Sequence, residues 1–184
     1  MPAITRPTAL AFDLDPGPPA DVITCCKVAL RLKATLDALE LKGFPKTSGS
    51  KGLQVYVPLN RPVTYDKTKA FAHALAERLQ VESPDLVVVR MQKTLRKGKV
   101  FVDWSQNDDH KTTVNVYSLR AKERPTVSTP VRWEEITNAL AKRKPALLQF
   151  EADEVLKRVR RLGDLFAPVL STQQTLPTMA ALNR

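Results

Sequence analysis

Cysteine is scarce in this sequence. Among 184 residues there are two, Cys25 and Cys26, and they are adjacent. Adjacent cysteines within an apolar helical pattern offer neither a C-x-x-C pair nor a second cluster, which argues against a disulfide framework and a structural zinc site. We therefore expect both to be small buried side chains of a protein in a reducing compartment.

Long apolar runs and targeting segments are also missing. No stretch approaches the length that a membrane-spanning helix needs, and no apolar segment after Met1 precedes a cleavage site. The chain shows no internal repeat and no low-complexity block. These absences predict a soluble, intracellular protein without a membrane partner.

Basic residues, by contrast, are in excess: 29 Lys and Arg stand against 19 Asp and Glu, a formal net charge of +10. Such an excess favours a polyanionic partner, because each phosphate that a cation neutralises releases counterions. Nucleic acid is favoured over a membrane surface, since no strongly basic amphipathic helix stands out. A basic protein with no such partner is the alternative.

Hydrophobic periodicity predicts an α+β fold, a mixed sheet with two covering helices that resembles the ferredoxin-like split unit in a β-α-β-β-α-β order. We predict helices at 21–41, 64–80, 133–141 and 153–162, and strands at 9–14, 53–59, 86–90, 100–104 and 112–117. The last two strands would form a hairpin around a polar turn at 107–110. Residues 1–8 would be a leader, 9–170 the catalytic core and 171–184 a flexible tail.

The first candidate for chemistry is a pair of acids in the first strand. Asp13 and Asp15 alternate with apolar residues, so both carboxylates lie on one side of the strand, about 7 Å apart. They would repel each other unless a cation lay between them. A pair of magnesium or manganese ions about 4 Å apart suits such a bay, although a D-x-D at a strand end is often only solvated.

The second candidate is the Gly/Ser segment at 46–54. Two glycines free the backbone, while Ser48 and Lys51 add a hydroxyl donor and a point charge, so the loop could hold a triphosphate. The spacing of a Walker loop is absent. A flexible hairpin is the alternative interpretation.

The third candidate is Asp103, an acid within the apolar strand Val-Phe-Val-Asp-Trp. A buried carboxylate needs a cation, an arginine or backbone donors. With Asp13 and Asp15 it would complete an oxygen-rich site for a hard metal. Basic residues flank it in sequence and could neutralise nucleic-acid phosphates, or form a solvated face: Lys93, Arg96, Lys97, Lys99, Lys111, Arg120, Lys122 and Arg124.

The strings FDLDPGPP, KTSGSKGLQVYVPL and GKVFVDWSQN occur in that order, followed by VNVYSLRAKERPTVSTPV. Together they resemble the archaeo-eukaryotic primase superfamily, and most specifically the polymerase domain of bacterial ATP-dependent DNA ligase D. The similarity extends over about residues 9–170. It implies a primase-type RRM-like catalytic core followed by C-terminal helices.

The resemblance implies roles for individual residues. The catalytic metal ligands would be Asp13, Asp15 and Asp103. The nucleotide would be bound by Ser48, Lys51 and Arg120, with Gln106 nearby, and Gln54 stands where the family usually has histidine. Arg96 falls in the family's mobile loop, and it and Lys97 would lie on the DNA path. Lys122 stands where the family has a second arginine, so the planar guanidinium with its forked pair of donors is replaced by an ammonium.

The resemblance also implies a function. The chain would be a metal-dependent primase-polymerase that adds NTPs or dNTPs to DNA ends or gaps in bacterial non-homologous end joining, with Mn²⁺ or Mg²⁺ at a two-metal site. A DNA ligase and the Ku protein would be partners, in the cytoplasm at the nucleoid. The family's N-terminal module, with its 5′-phosphate pocket, is expected to be absent. The alternatives are an inactive DNA-binding remnant and a metal-dependent nuclease.

Overall fold

A computed structural model of the chain describes residues 6–183, and the side chains of residues 6–182. Residues 1–5 of the predicted leader and Arg184 of the predicted tail lie outside the described residues. Within the described part no helix is both long enough and apolar enough to cross a membrane.

Within residues 6–183 the strands are β1 Ala9–Pro16, β2 Phe44–Thr47, β3 Leu53–Pro58, β4 Val87–Val88, β5 Val100–Asp103, β6 Leu119–Arg120 and β7 Thr126–Val127. The α-helices of the same range are α1 Val22–Ala38, α2 Tyr65–Glu82, α3 Trp133–Lys142, α4 Ala152–Leu162 and α5 Ala167–Ser171. Short 3₁₀ turns occupy Lys93–Arg96, Trp104–Gln106, Pro145–Leu148 and Met179–Asn183.

The main sheet has five strands in the order β2-β3-β1-β5-β4. β1 lies at its centre and pairs antiparallel with β3 on one side and β5 on the other, while β4 pairs parallel with β5. The predicted α+β fold with a mixed sheet is confirmed. A small second sheet consists of the β6–β7 hairpin.

The two faces of the sheet differ sharply in polarity. Leu10, Phe12 and Leu14 of β1 are fully buried in the core beside apolar side chains of α1 and α2. Because strand side chains alternate between faces, Asp13 and Asp15 lie on the opposite face. One face therefore anchors the sheet to the two helices, and the other is left for polar groups.

Helices α1 and α2 begin at side-chain caps. Asp21 accepts hydrogen bonds from the backbone N–H groups of Ile23 and Thr24 at 2.9 and 3.1 Å, which satisfies two free donors at the start of α1. Thr64 caps α2 in the same way, at 3.5 Å from the Lys67 nitrogen. The two cysteines lie in α1 and are fully buried, as predicted.

The predicted strand at 112–117 is wrong, because that segment crosses the polar face of the main sheet as irregular chain. Thr113 exchanges a hydrogen bond with the Tyr56 hydroxyl at 2.8 Å, and the Val114 carbonyl accepts one from the Lys46 ammonium at 3.1 Å. β5 therefore pairs with β1 and β4 rather than with this segment. The hairpin lies further along the chain, at β6 and β7.

Strand β2 was not predicted, and it forms an edge of the main sheet. It contains Pro45, which cannot donate to a ladder but is tolerated on an edge strand. Its outer side is covered by the segment after β7, through hydrogen bonds from Thr47 N–H to the Thr129 carbonyl at 2.8 Å and from Val131 N–H to the Pro45 carbonyl at 3.1 Å.

The segment after α5, which we expected to form a flexible tail, contacts the sheet. The Gln174 side-chain amide donates to the Pro58 and Lys42 carbonyls at 2.7 and 3.1 Å. Leu182 is buried against the main core. These contacts join the segment after α5 to the residues just before β2, to β3 and to the core.

Candidate functional site

Strand pairing builds a row of polar residues across four strands on the polar face. Asp13 of β1 pairs with Asp103 of β5 on one side and with Gln54 of β3 on the other, and Gln54 pairs in turn with Lys46 of β2. Residues paired directly across antiparallel strands share a face, with Cβ atoms about 4.5–5.5 Å apart. We call Lys46, Gln54, Asp13 and Asp103 the polar row.

Asp15 lies two residues beyond Asp13 on the same face, paired with Phe101. Its carboxylate accepts a hydrogen bond from Arg96 at 3.2 Å. The Arg96 guanidinium also stacks on the Phe101 ring, 3.8 Å from its centroid, and donates to the Met91 carbonyl at 2.8 Å. The structure thus brings Arg96 to the acids, and it offsets part of their charge.

Asp103 is held by the turn that follows it. One carboxylate oxygen accepts from the Ser105 backbone N–H and hydroxyl at 3.0 and 2.6 Å, and the other accepts from the Gln106 side-chain amide at 2.8 Å. Such hydrogen bonds orient carboxylates that bind metals. The amide oxygen of Gln106 is buried without a protein partner.

Asn107 fixes the turn that carries Asp103 and Gln106, and the sequence did not single it out. Its buried side-chain amide accepts from Ala11 N–H at 2.8 Å and donates to the Ala11 and Trp104 carbonyls at 2.9 and 2.8 Å. These side-chain hydrogen bonds satisfy the Ala11 backbone groups of β1 just beyond the last backbone pairing with β5.

The donor set of the three acids fits a hard divalent cation. Burial, together with the carboxylates of Asp103 and Asp15, raises the pKa of Asp13 from its ordinary 3.8 to about 6, against a hydrogen bond from Gln54 that lowers it. Crowded, partly buried carboxylates are destabilised unless positive charge is supplied. The all-oxygen chemistry of these side chains suits magnesium or manganese.

A different acidic group lies in the polar turn after the site. Within the described residues, one group of three His, Cys, Asp or Glu side chains has all its possible metal-binding atoms within 4.8 Å of one another. It consists of Asp108, Asp109 and His110. Asp108 forms a salt bridge with Lys69, which lowers its pKa to about 2 through that hydrogen bond. The three predicted acids are more widely separated than this group.

The predicted triphosphate loop connects β2 to β3. The Ser48 hydroxyl oxygen accepts from the backbone N–H groups of Ser50 and Gly52, both at 3.2 Å. Those two N–H groups are therefore engaged within the loop, while the Ser48 hydroxyl hydrogen remains available to a ligand. Gly52 has no room for a side chain, because an added Cβ would lie 2.0 Å from the Leu14 carbonyl oxygen.

The residues predicted to bind nucleotide do not all lie together. Arg120 donates to the Ser48 carbonyl at 3.4 Å, so both adjoin the polar row, and the Gln54 amide oxygen is buried without a protein partner. Lys51 instead lines a cavity of about 460 Å³ whose walls include Lys122 and none of the three acids. The set therefore divides between the polar row and this cavity.

The basic segment before β5 lies against the end of β1. Gly98 N–H donates to the Gly17 carbonyl at 3.0 Å, and Gly17 N–H donates to the Lys99 carbonyl at 2.9 Å. Lys97 is exposed beside this contact. The fold thus brings Arg96, and with it the neighbouring Lys97, to Asp15, which lies 81 residues earlier in the chain.

Comparison with known proteins gives consistent results. The family model described as the LigD primase-polymerase domain matches residues 1–166. The chain is 43% identical over 162 residues to the multifunctional non-homologous end joining protein LigD of Mycolicibacterium smegmatis, covering 88% of the chain and 20% of that protein. It is 33% identical over 180 residues to the bifunctional LigD of Bacillus subtilis, covering 97% of the chain and 29% of that protein.

A solved structure is similar as well. The polymerase domain of Mycobacterium tuberculosis ligase D in complex with DNA matches with a TM-score of 0.83 and 43% sequence identity, covering 92% of this chain and 57% of that one. The chain therefore spans somewhat over half of the solved domain, and about a fifth to under a third of the full-length relatives.

The raised pKa of Asp13 predicts a specific pH dependence of stability. Below 3.8 the carboxyl is protonated in both folded and unfolded chains, and stability is lost as the pH rises through about 6, because the folded state resists ionisation. In metal-free buffer, Asp13→Asn should therefore be more stable than the parent, by a margin that grows by about 1 kcal/mol between about pH 5 and about pH 7.5. Urea unfolding at both pH values measures this margin, and a margin independent of pH would contradict it.

Proposed function

Because the chain belongs to the LigD primase-polymerase domain family, we propose that it is a metal-dependent nucleotidyltransferase that adds nucleotides to DNA ends in non-homologous end joining. The observation that carries the proposal is the strand register, which sets Asp13 opposite Asp103 with Asp15 two residues away on the same face. The relatives are named for end joining, and the similar solved domain is bound to DNA.

Asp13, Asp15 and Asp103 would hold the divalent ions, manganese or magnesium. Bound there, the ions would neutralise charge on the attacking and leaving oxygens of an in-line phosphoryl transfer. Ser105, Gln106 and, through the turn, Asn107 fix the orientation of Asp103. To open Asp15 fully to a cation, Arg96 would have to release the carboxylate that it now contacts.

The incoming NTP or dNTP would lie between the acids and the basic end of the polar row. The Ser48 hydroxyl and the Arg120 guanidinium, which lies beside the Ser48 carbonyl, would donate to phosphate oxygens there. Gln54 offers hydrogen bonds without a titratable charge, so phosphate binding would depend less on pH than with histidine at this position. Lys51 lines the neighbouring cavity, so it would contact phosphate only if the phosphate chain extended past Ser48 into that cavity.

DNA would approach over the basic segment beside the acids. The net charge of +10 supplies the general attraction, and Arg96 and Lys97 would be local phosphate contacts. The DNA bound in this way would carry ends or gaps, which are the substrates of end joining. A DNA ligase and the Ku protein would act with the chain, since the relatives combine several activities in end joining.

The acid assignment predicts loss of nucleotide addition without loss of the fold. Asp13→Asn and Asp103→Asn should each lower primer extension with manganese and NTPs at least about a hundredfold, the scale of losing one electrostatic contact to a transition state. Manganese binding measured by calorimetry should weaken in parallel. The matched control is Asp108→Asn, which removes an acid from the exposed turn and should leave both measurements unchanged.

Three results would count against this proposal. Loss of activity in Asp108→Asn with activity kept in Asp103→Asn would place the metal site in the turn. Shortening of the DNA strand instead of extension would indicate a nuclease. DNA binding by the parent chain without binding of manganese or nucleotide would indicate an inactive remnant.

The assignment of the basic segment predicts a change in the salt dependence of DNA binding. Each lost phosphate contact should reduce the slope of log K against log salt by about 0.9 on duplex DNA. Lys97→Ala and Arg96→Ala should both show this reduction in fluorescence anisotropy titrations. Lys157→Ala, on an exposed part of α4, is the control of equal charge change, and an unchanged slope for both loop variants would remove the segment from the DNA path.

A further inference from the structure

Lys46, at one end of the polar row, is a fully buried lysine. Its ammonium donates to the Ser128 hydroxyl at 2.6 Å and to the Val114 carbonyl at 3.1 Å, and it lies 5.7 Å from the centre of the Tyr56 ring. Across the described side chains, no carboxylate oxygen comes within 4.0 Å of it. Its charge is thus buried among neutral partners.

This arrangement is costly in the free chain. Removing an ammonium from water without an ionic partner is unfavourable. A lysine buried in this way is retained where it serves a purpose other than stability. Burial, opposed by the charge of Asp13 and assisted by that of Arg120, lowers the pKa of Lys46 from its ordinary 10.5 to about 7. Two cations are therefore placed close together with no carboxylate in contact with Lys46.

The surroundings indicate what would complete this cluster. Lys46 lies two residues before Ser48, and Arg120 reaches the Ser48 carbonyl from the β6–β7 hairpin. Ser128, which holds the ammonium, also donates to the Thr47 carbonyl at 3.0 Å. The two positive charges therefore flank the 48–52 loop, and a polyanion there would relieve their repulsion.

We infer that Lys46 is a positioning residue for phosphate: its buried ammonium, with Arg120, supplies the positive field beneath the 48–52 loop that binds the phosphate chain of a nucleotide or its pyrophosphate product. The inference rests on the proposed function. Lys46 acts without touching the ligand, through its field and by holding Ser128 and Val114 against β2. Asp13 and Asp103, two and three strand spacings from Lys46 and thus about 10 and about 14 Å away, would face the same ligand.

The test compares two neutral replacements in the full 184-residue chain. Lys46→Met removes the charge and keeps the length of the side chain, while Lys46→Gln removes the charge and keeps a hydrogen-bond donor. Binding of ATP and of pyrophosphate is measured by calorimetry without DNA, and melting temperature is measured alongside. Lys42→Met, an exposed lysine near the same strand, is the control of equal charge change.

Both Lys46 variants should weaken ATP and pyrophosphate binding about tenfold or more, since the loss is a Coulomb interaction in a partly buried site. Lys42→Met should bind as the parent does. The melting temperature of Lys46→Met should stay the same or rise, because a buried unpaired ion is replaced by an apolar chain. If Lys46 had only a structural role, whichever variant folds would have a lower melting temperature and unchanged binding. That result would overturn the inference.

A measurement on the unaltered chain covers the case in which neither variant folds. The ammonium resonance of Lys46, followed by nuclear magnetic resonance with isotope-labelled lysine, should shift on adding pyrophosphate, and no shift at saturation would also overturn the inference. Failure of the parent chain to bind ATP or pyrophosphate would instead refute the proposed function. Binding by the parent that both Lys46 variants match would refute only the role of Lys46.

Discussion

The antiparallel register of β1 between β3 and β5 is the constraint on which the rest of the site depends. It sets Asp13 opposite Gln54 on one side and Asp103 on the other, while Leu10, Phe12 and Leu14 point into the core. A slip of one residue would turn the acids into the helices and the leucines toward solvent. The burial energy of the apolar residues thus maintains the geometry of the polar ones.

Charge is segregated along the polar face. The acids lie on β1 and β5, and Lys46 lies on β2, two strands from β1 and three from β5, with Arg120 on the small hairpin nearby. Between them, Gln54 keeps a buried amide oxygen without a protein partner. A ligand that carries both anionic and cationic parts, such as a nucleotide with its divalent ions, is complementary to such a face. In the free chain, Arg96 supplies positive charge to the Asp15 carboxylate.

Much of this fold and site could be predicted from the sequence where the signal is local. Alternation of apolar residues with Asp13 and Asp15 identified β1, and the apolar residues before Asp103 identified β5. Strand β2 was not predicted, because its four residues include a proline and its pairing is set by tertiary contacts. Segment 112–117 has strand-like residues, yet its hydrogen bonds go to side chains on the main sheet.

The roles of Lys46 and Asn107 could not be read from the sequence for a related reason. Both depend on partners distant in the chain: Ser128 lies 82 positions from Lys46, and Ala11 lies 96 positions from Asn107. No local pattern distinguishes a lysine that points into the fold from the many exposed ones. Functional residues that act through long-range hydrogen bonds become visible only when the topology is known.

The location of bound manganese tests the central claim most directly. Crystals of the chain grown with manganese and a non-hydrolysable nucleotide would reveal the ions by anomalous scattering. We expect a peak about 2.0–2.5 Å from carboxylate oxygens of Asp13 and Asp103, with the phosphates between them and the 48–52 loop. A peak confined to Asp108, Asp109 and His110, with none at the polar row, would contradict the account.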